Sequence, residues 1–193
     1  SNPDASMNFG REEHLEHSER YARAREFYDV VTGLWDSWAD DAFVRDVDAG
    51  IFSDLDKMHV LDHKGKYFSV RGPLNIARPV QGGPVLVQAG SSEAGRSLAA
   101  RHADAIFTAH LEKTSAQEFY ADIKVRVKAE GRVPEQVLIL PGLSPVIGST
   151  EAEARRMSDE LNALADPDVG LRRLSARFNG KDFSHLPLDE RVT

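Results

Sequence analysis

The longest stretch of regular hydrophobic spacing lies near the N-terminus. Leu15, Ala24, Phe27, Val31, Leu34, Trp35 and Trp38 recur at three- and four-residue intervals, the mark of a helix with one buried face. Glu19, Arg23, Glu26 and Asp29 fill the other side, and the spacing predicts a helix from Glu12 to Trp38. From 39 to 83 the pattern breaks: Asp40, Asp41, Asp46 and Asp48 come first, then turn residues. Met58–Leu61 and Tyr67–Val70 flank Asp62-His63-Lys64-Gly65-Lys66, which predicts a β-hairpin with Gly65 in the turn. The segment 39–83 is too long for an ordinary connection and reads as an insertion with a functional purpose.

After Pro84 the rhythm becomes regular. Pro84–Ala89 is a short apolar run, as a parallel strand covered on both faces requires. A helix is predicted from Ser91 to His102, a strand over Asp104–Thr108, and a helix from Ser115 to Glu130, ended by Gly131. Val137–Leu140 is a third strand, and Thr150 caps a third helix reaching Ala165, with Glu151 and Glu153 in its first turn. Alternating strands and helices mean βαβ units, an α/β fold and a parallel sheet. The polar tail 166–193, broken by Asn179-Gly180 and Pro187, reads as a short helix followed by loop, and 1–193 as a single domain. Three strands alone would leave two long open edges, which native sheets cover or pair. Further strands are therefore expected.

Composition changes this picture little. Hydrophobic residues make up 41% and charged residues 28% of the 193 residues, ordinary values for a globular protein. Cysteine is absent, so the chain has no disulfide, thiolate metal site or cysteine nucleophile. The net charge of -7 argues against nucleic acid as a partner. With neither an apolar run of membrane-spanning length nor a signal-peptide pattern, a cytoplasmic location is expected, with no membrane partner.

Several positions could carry chemistry. Gly90-Ser91-Ser92 follows a strand and opens a helix, where free N–H groups and the helix dipole favour an anion; equally, Ser91 could be only an N-cap. His17 and Tyr21 lie four apart on one helix face, fit either for a shared ligand or for a surface histidine beside a core tyrosine. Arg20 could reach a phosphate, but reads rather as an ion-pair partner of Glu16 or Glu19. His14 sits three before His17, but no third ligand completes a metal site. Gln88 ends a strand, facing the active-site loops or capping the barrel interior. Among the other histidines only His110, at the end of the second strand, is worth testing.

In unbroken order from residue 8 to 165, a set of segments resembles a known family. They include Asn8-Phe9-Gly10, His17-Ser18-Glu19-Arg20-Tyr21, Leu34-Trp35-Asp36-Ser37-Trp38, Phe68-Ser69-Val70-Arg71-Gly72-Pro73-Leu74, Gln81-Gly82-Gly83-Pro84, Gln88-Ala89-Gly90-Ser91-Ser92 and Leu140-Pro141-Gly142. The chain is similar to the luciferase-like flavin-dependent monooxygenases, in the branch of the nitrilotriacetate, dibenzothiophene sulfone and long-chain alkane enzymes. The resemblance implies a partial TIM (β/α)₈ barrel, roughly strands 5 to 7 with flanking helices and a mid-barrel insertion. Roughly half of the barrel is then expected upstream of Ser1.

The resemblance further implies FMN as cofactor, contacted by His17, Tyr21, Ser91 and Ser92, with Ser92 first in line for the phosphate. Reduced FMN would come from a separate NADH:FMN reductase, and no dinucleotide-binding Gly-x-Gly-x-x-Gly pattern occurs here. The implied activity is transfer of one oxygen atom from O₂ to a small organic substrate, which 39–83 would help to roof; no catalytic acid or base is assigned. A homo-oligomer is expected. Two other readings stand beside this one: a non-catalytic fragment or assembly module, and an oxidoreductase using the deazaflavin F420 on the same barrel.

Overall fold

The computed structural model describes residues 6–8, 14–177, 181–183 and 185. Phe9-Gly10 and most of 178–193 lie outside the described residues. The chain divides into two compact units, Ser1–Gly142 and Leu143–Thr193.

In the first unit, helix α1 spans His17–Trp35, shorter at both ends than the spacing predicts. Its apolar stripe is as expected, yet it is not sealed. Ala24, Phe27, Val31 and Trp35 line an apolar slot of about 240 Å³ opposite Leu86, Val87 and Leu98. The insertion returns along α1 and is fastened to it at several points. Ser37 Oγ donates to Leu34 O and accepts from Leu74 N–H, while the Trp38 indole N–H donates to Leu74 O. Arg78 pairs with Asp36 and Asp40, each at 2.9 Å.

The predicted hairpin exists with its arms shifted. Strands β1 (His63–Lys64) and β2 (Ser69–Val70) pair antiparallel, His63 opposite Val70. Met58 instead bridges to Trp38. Gly65 N–H donates to Phe68 O, so Gly65 opens the turn.

Strands β3 (Val87–Gln88), β4 (Ala105–Ala109) and β5 (Leu138–Gly142) form a parallel sheet in the order β3-β4-β5. Helices α2 (Glu93–His102) and α3 (Lys113–Ala129) connect them and cover one face. The core lies there: Ala99, Ala100 and Ala103 meet Phe119, Ile123 and Val127, with Ile106 and Val137 beneath. The small α2 side chains leave room for the larger α3 ones, and together they bury Ile106 and Val137. Register puts Gln88, Ile106 and Ile139 on this covered face, and Val87, Phe107, Leu138 and Leu140 on the other. Val85, Val87, Phe107, Leu138 and Leu140 are 46–67% exposed, so the second face is open and apolar. Such a face is what an incomplete barrel presents.

In the second unit, helix α4 spans Glu151–Ala163 and α5 spans Pro167–Arg177. Thr150 Oγ1 accepts from Glu153 N–H at 3.2 Å, and the Glu153 carboxylate reaches back to Ser149 N–H at 2.7 Å. This reciprocal cap fixes where α4 begins. Among the described residues, no helix is long and apolar enough to cross a membrane.

Candidate functional site

Because β3, β4 and β5 are parallel, their C-terminal ends share one rim. Ala89-Gly90-Ser91-Ser92 occupies that rim between β3 and α2. Ser92 is the N-cap of α2, its Oγ accepting from Gly95 N–H at 3.2 Å. The first-turn N–H groups of Glu93 and Ala94 have no intrahelical acceptor and are the donors an anion could use. Ser91 has an exposed side chain, and its carbonyl accepts from Arg96 Nε at 2.9 Å.

A carboxylate at Glu93 would by itself repel an anion at this terminus. Arg126 neutralises it, donating to both oxygens at 2.5 and 2.9 Å, and this bond holds the Glu93 carboxyl below its ordinary pKa. Arg126 also reaches Asp122 at 2.8 Å, and Arg96 reaches Asp122 at 3.0 Å. Two acids and two arginines thus cancel beside the helix terminus, leaving the dipole unopposed.

Tyr21, in the second turn of α1, reaches this loop. A Cβ at Gly90 would stand 2.5 Å from the Tyr21 hydroxyl, and one at Gly95 would stand 2.8 Å away. His17 stacks on Tyr21 with ring centroids 4.9 Å apart and a 51° tilt. The structure therefore brings Tyr21 to the Gly90–Ser92 turn and His17 to Tyr21.

Gln88 is not on the barrel-interior face. It shares the helix-covered face with Ile106, and its Oε1 accepts from Gly90 N–H at 2.7 Å. The same Gly90 Cβ position lies 2.5 Å from Gln88 Nε2, so the amide and the phenol converge on one glycine. Sequence spacing gave no sign of this, because the link between Tyr21 and Gly90 is tertiary.

Other expectations are corrected. Arg20 does not pair with Glu16 or Glu19; it donates to His14 Nε2 and Leu15 O, each at 2.6 Å. Glu19 is engaged by Lys66 at 3.0 Å. His14 is also bonded to Ser6 Oγ, and loss of hydration followed by the Arg20 charge lowers its pKa. Both nitrogens of His110 are used within the fold, Nε2 with Thr108 Oγ1 and Nδ1 with Ser115 Oγ, each at 2.8 Å. It anchors the β4–α3 turn. Among the described residues, no three histidine or acidic side chains are grouped to hold a metal ion.

One residue that spacing overlooked fastens the insertion next to this site. The Glu26 carboxylate accepts from His63 Nε2 at 3.1 Å, from Tyr67 N–H at 3.0 Å and from Phe68 N–H at 2.8 Å. Arg23 lies over the Phe68 ring. The β1–β2 hairpin is thereby strapped along the first half of α1.

Comparison with known proteins agrees with this architecture. Residues 1–190 match the luciferase-like monooxygenase family. The chain is 52% identical over 184 residues to N-acetyl-S-(2-succino)cysteine monooxygenase of Bacillus subtilis (strain 168), covering 95% of this chain and 42% of that protein. It is 45% identical over 182 residues to nitrilotriacetate monooxygenase component A of Aminobacter aminovorans, covering 94% and 40%. The crystal structure of riboflavin lyase with modified FMN and substrate riboflavin superposes with a TM-score of 0.80 at 35% identity, over 95% of this chain and 40% of that one. The chain spans about two fifths of the length of these relatives, and its open-faced parallel sheet is part of their barrel. Sequence match and fold thus agree across nearly all of its length, and the chain belongs to the luciferase-like monooxygenase family.

Proposed function

We propose that this chain forms the phosphate-binding side of an FMN site in a two-component, FMNH₂-dependent monooxygenase. The observation that carries the reading is the seating of Tyr21 against Gly90, beside Ser91 and Ser92 at the N-terminus of α2. Residue types and placement fit a phosphate monoester. Two free helix N–H groups, two serine hydroxyls and a phenol supply donors, and the local carboxylates are already paired. A relative solved with modified FMN supports flavin as the ligand class. A relative named as component A supports a separate reductase as partner.

Reduced FMN, when bound, would supply the reaction with O₂ and the delivery of one oxygen atom to a small organic substrate. This chain's residues would fix its phosphate end: Ser92 and Ser91 as donors, Tyr21 as a third donor, and His17 packing behind the phenol. The strapped hairpin and the rest of 39–83 would restrict water at the substrate side.

The test is a titration of the full-length polypeptide with FMN, riboflavin and F420, followed by O₂ uptake with an NADH:FMN reductase. Tight FMN binding, weaker riboflavin binding and substrate-dependent oxygen uptake support the reading. Preference for F420 over FMN would transfer the protein to the deazaflavin class. Indifference to the phosphate would remove the site altogether.

A further inference from the structure

We propose that Gly90 and Gly95 form a notch whose purpose is to seat the Tyr21 phenol, making Gly90 a positioning residue for the flavin site. The second half of this inference rests on the FMN reading above; the first half does not.

Neither glycine has a backbone conformation that demands glycine, since positive φ angles occur at Gly50, Gly72, Gly82 and Gly131 instead. Space is the requirement. At Gly90 a Cβ would meet the Tyr21 hydroxyl and Gln88 Nε2, both at 2.5 Å, and Gly95 Cα at 3.3 Å. At Gly95 a Cβ would meet the Tyr21 hydroxyl at 2.8 Å and the Gly90 carbonyl at 2.9 Å. Contacts below 3 Å force a neighbour to move. Gln88 is held by its bond to Gly90 N–H, and Gly95 is held by the Ser92 cap. The phenol and the Gln88 Nε2 end are the groups that must yield, so a side chain at Gly90 displaces the phenol from its seat. Gly95 serves the same seat but also the close approach of two backbones, so Gly90 is the cleaner probe.

The notch joins two elements that are distant in sequence. It locks the start of α1 to the strand–helix turn before any ligand arrives, which is how a binding group is held preorganised.

A double-mutant cycle on the full-length polypeptide tests this. Gly90→Ala alone is expected to lower Tm by roughly 2–10 °C and to weaken FMN binding by about tenfold or more. Tyr21→Phe removes one of the two clashing atoms and leaves Gln88 Nε2. In that background Gly90→Ala is expected to lose less than half as much Tm as in the Tyr21 background. An equal loss in both backgrounds overturns the notch. Strong coupling in Tm with FMN affinity unmoved by either change leaves the seat standing and removes its role for flavin. That second outcome is how failure of the FMN reading is told apart from failure of the notch.

Discussion

The Ser92 hydroxyl lies 3.2 Å from the Gly95 amide nitrogen and accepts its hydrogen bond, so the side chain proposed for the FMN phosphate already caps α2. The two roles are compatible. A hydroxyl accepts through its lone pairs and still has a proton to donate, and the proton is what a phosphate oxygen needs. Ser92→Ala removes both, costing the helix about 1 kcal/mol and a charged-group hydrogen bond about 1.5–3 kcal/mol, a ten- to hundredfold loss of FMN affinity. Riboflavin, which has no phosphate, should bind nearly as before. Ser92→Asp separates the roles further, since aspartate caps well but repels phosphate. We expect Tm restored and FMN binding worse than in the alanine variant, measured by thermal unfolding and fluorescence titration. Equal losses for FMN and riboflavin would leave Ser92 as a cap alone.

Glu26 fastens the β1–β2 hairpin to α1. Desolvation between α1 and the hairpin pushes its pKa up, but the bonds from His63, Phe68 and Tyr67 outweigh this and hold the carboxyl below its ordinary value. A depressed folded-state pKa means the ionised carboxylate stabilises docking above the unfolded value near 4.5, and this is lost as pH falls through the folded value. Hydrogen exchange of the Tyr67 and Phe68 amides reads the effect. Glu26→Gln should speed exchange there by roughly tenfold at neutral pH, with the β4 amides unchanged. The wild type should lose the same protection on acidification below pH 4.5 after correction for intrinsic rates, and the glutamine variant should show no such step.

The elements that sequence located well are those whose signal is local. Parallel β4 and β5, the Thr150 cap and the α1 stripe follow from spacing within a dozen residues. Features set by distant partners were misplaced. Pro84–Ala89 reads as a six-residue strand, but the Asp104 carboxylate takes the Leu86 amide at 2.9 Å, and ladder pairing is confined to Val87–Gln88. The hairpin turn lies at Gly65–Phe68 because Glu26, on another element, satisfies the Tyr67 and Phe68 amides. At the candidate site, position alone marked His17, Tyr21, Ser91 and Ser92 as candidate ligand contacts, and only family resemblance pointed to flavin. The Tyr21 seat on Gly90 and the Gln88–Gly90 bond depend on α1 crossing β3, which no periodicity encodes.

Two phenylalanines of the first unit separate the finished core from the unfinished one. Phe119 is 2% exposed among Ala99, Ile123 and Val127, whereas Phe107 on the other sheet face is 48% exposed. Phe119→Ala should cost about 3–5 kcal/mol, as for other buried aromatic truncations. Phe107→Ala in the 193-residue chain should cost less than about 1.5 kcal/mol, because half of the ring is already in water. In a full-length polypeptide whose barrel covers that face, the Phe107 cost should rise toward that of Phe119. Urea unfolding of both variants and the unsubstituted parent at each chain length decides it, and a Phe107 cost that stays small in full-length protein would show that the open face is not buried by a barrel.

The 193-residue chain on its own should self-associate and bind FMN poorly. Val87, Phe107, Leu138 and Leu140 share one sheet face by register and are 46–63% exposed among the described residues, and contiguous apolar surface of this kind drives association. The α1–β3 slot adds further apolar surface at the sheet edge, where unpaired strand backbone invites another strand. Phe107 and Leu140 are register partners. Phe107→Lys with Leu140→Glu would therefore place opposite charges side by side on the open face and should shift light scattering toward monomer. The proposed anion site is one-sided for the same reason: its donors come from one helix terminus and one phenol, and among the described residues no opposite wall faces them. We expect no saturable FMN binding at micromolar concentration by fluorescence quenching. Sub-micromolar binding by this chain alone would show that the rim of β3, α2 and α1 suffices for the whole cofactor, and a monomer that resists association would show that the open face is covered from within the chain.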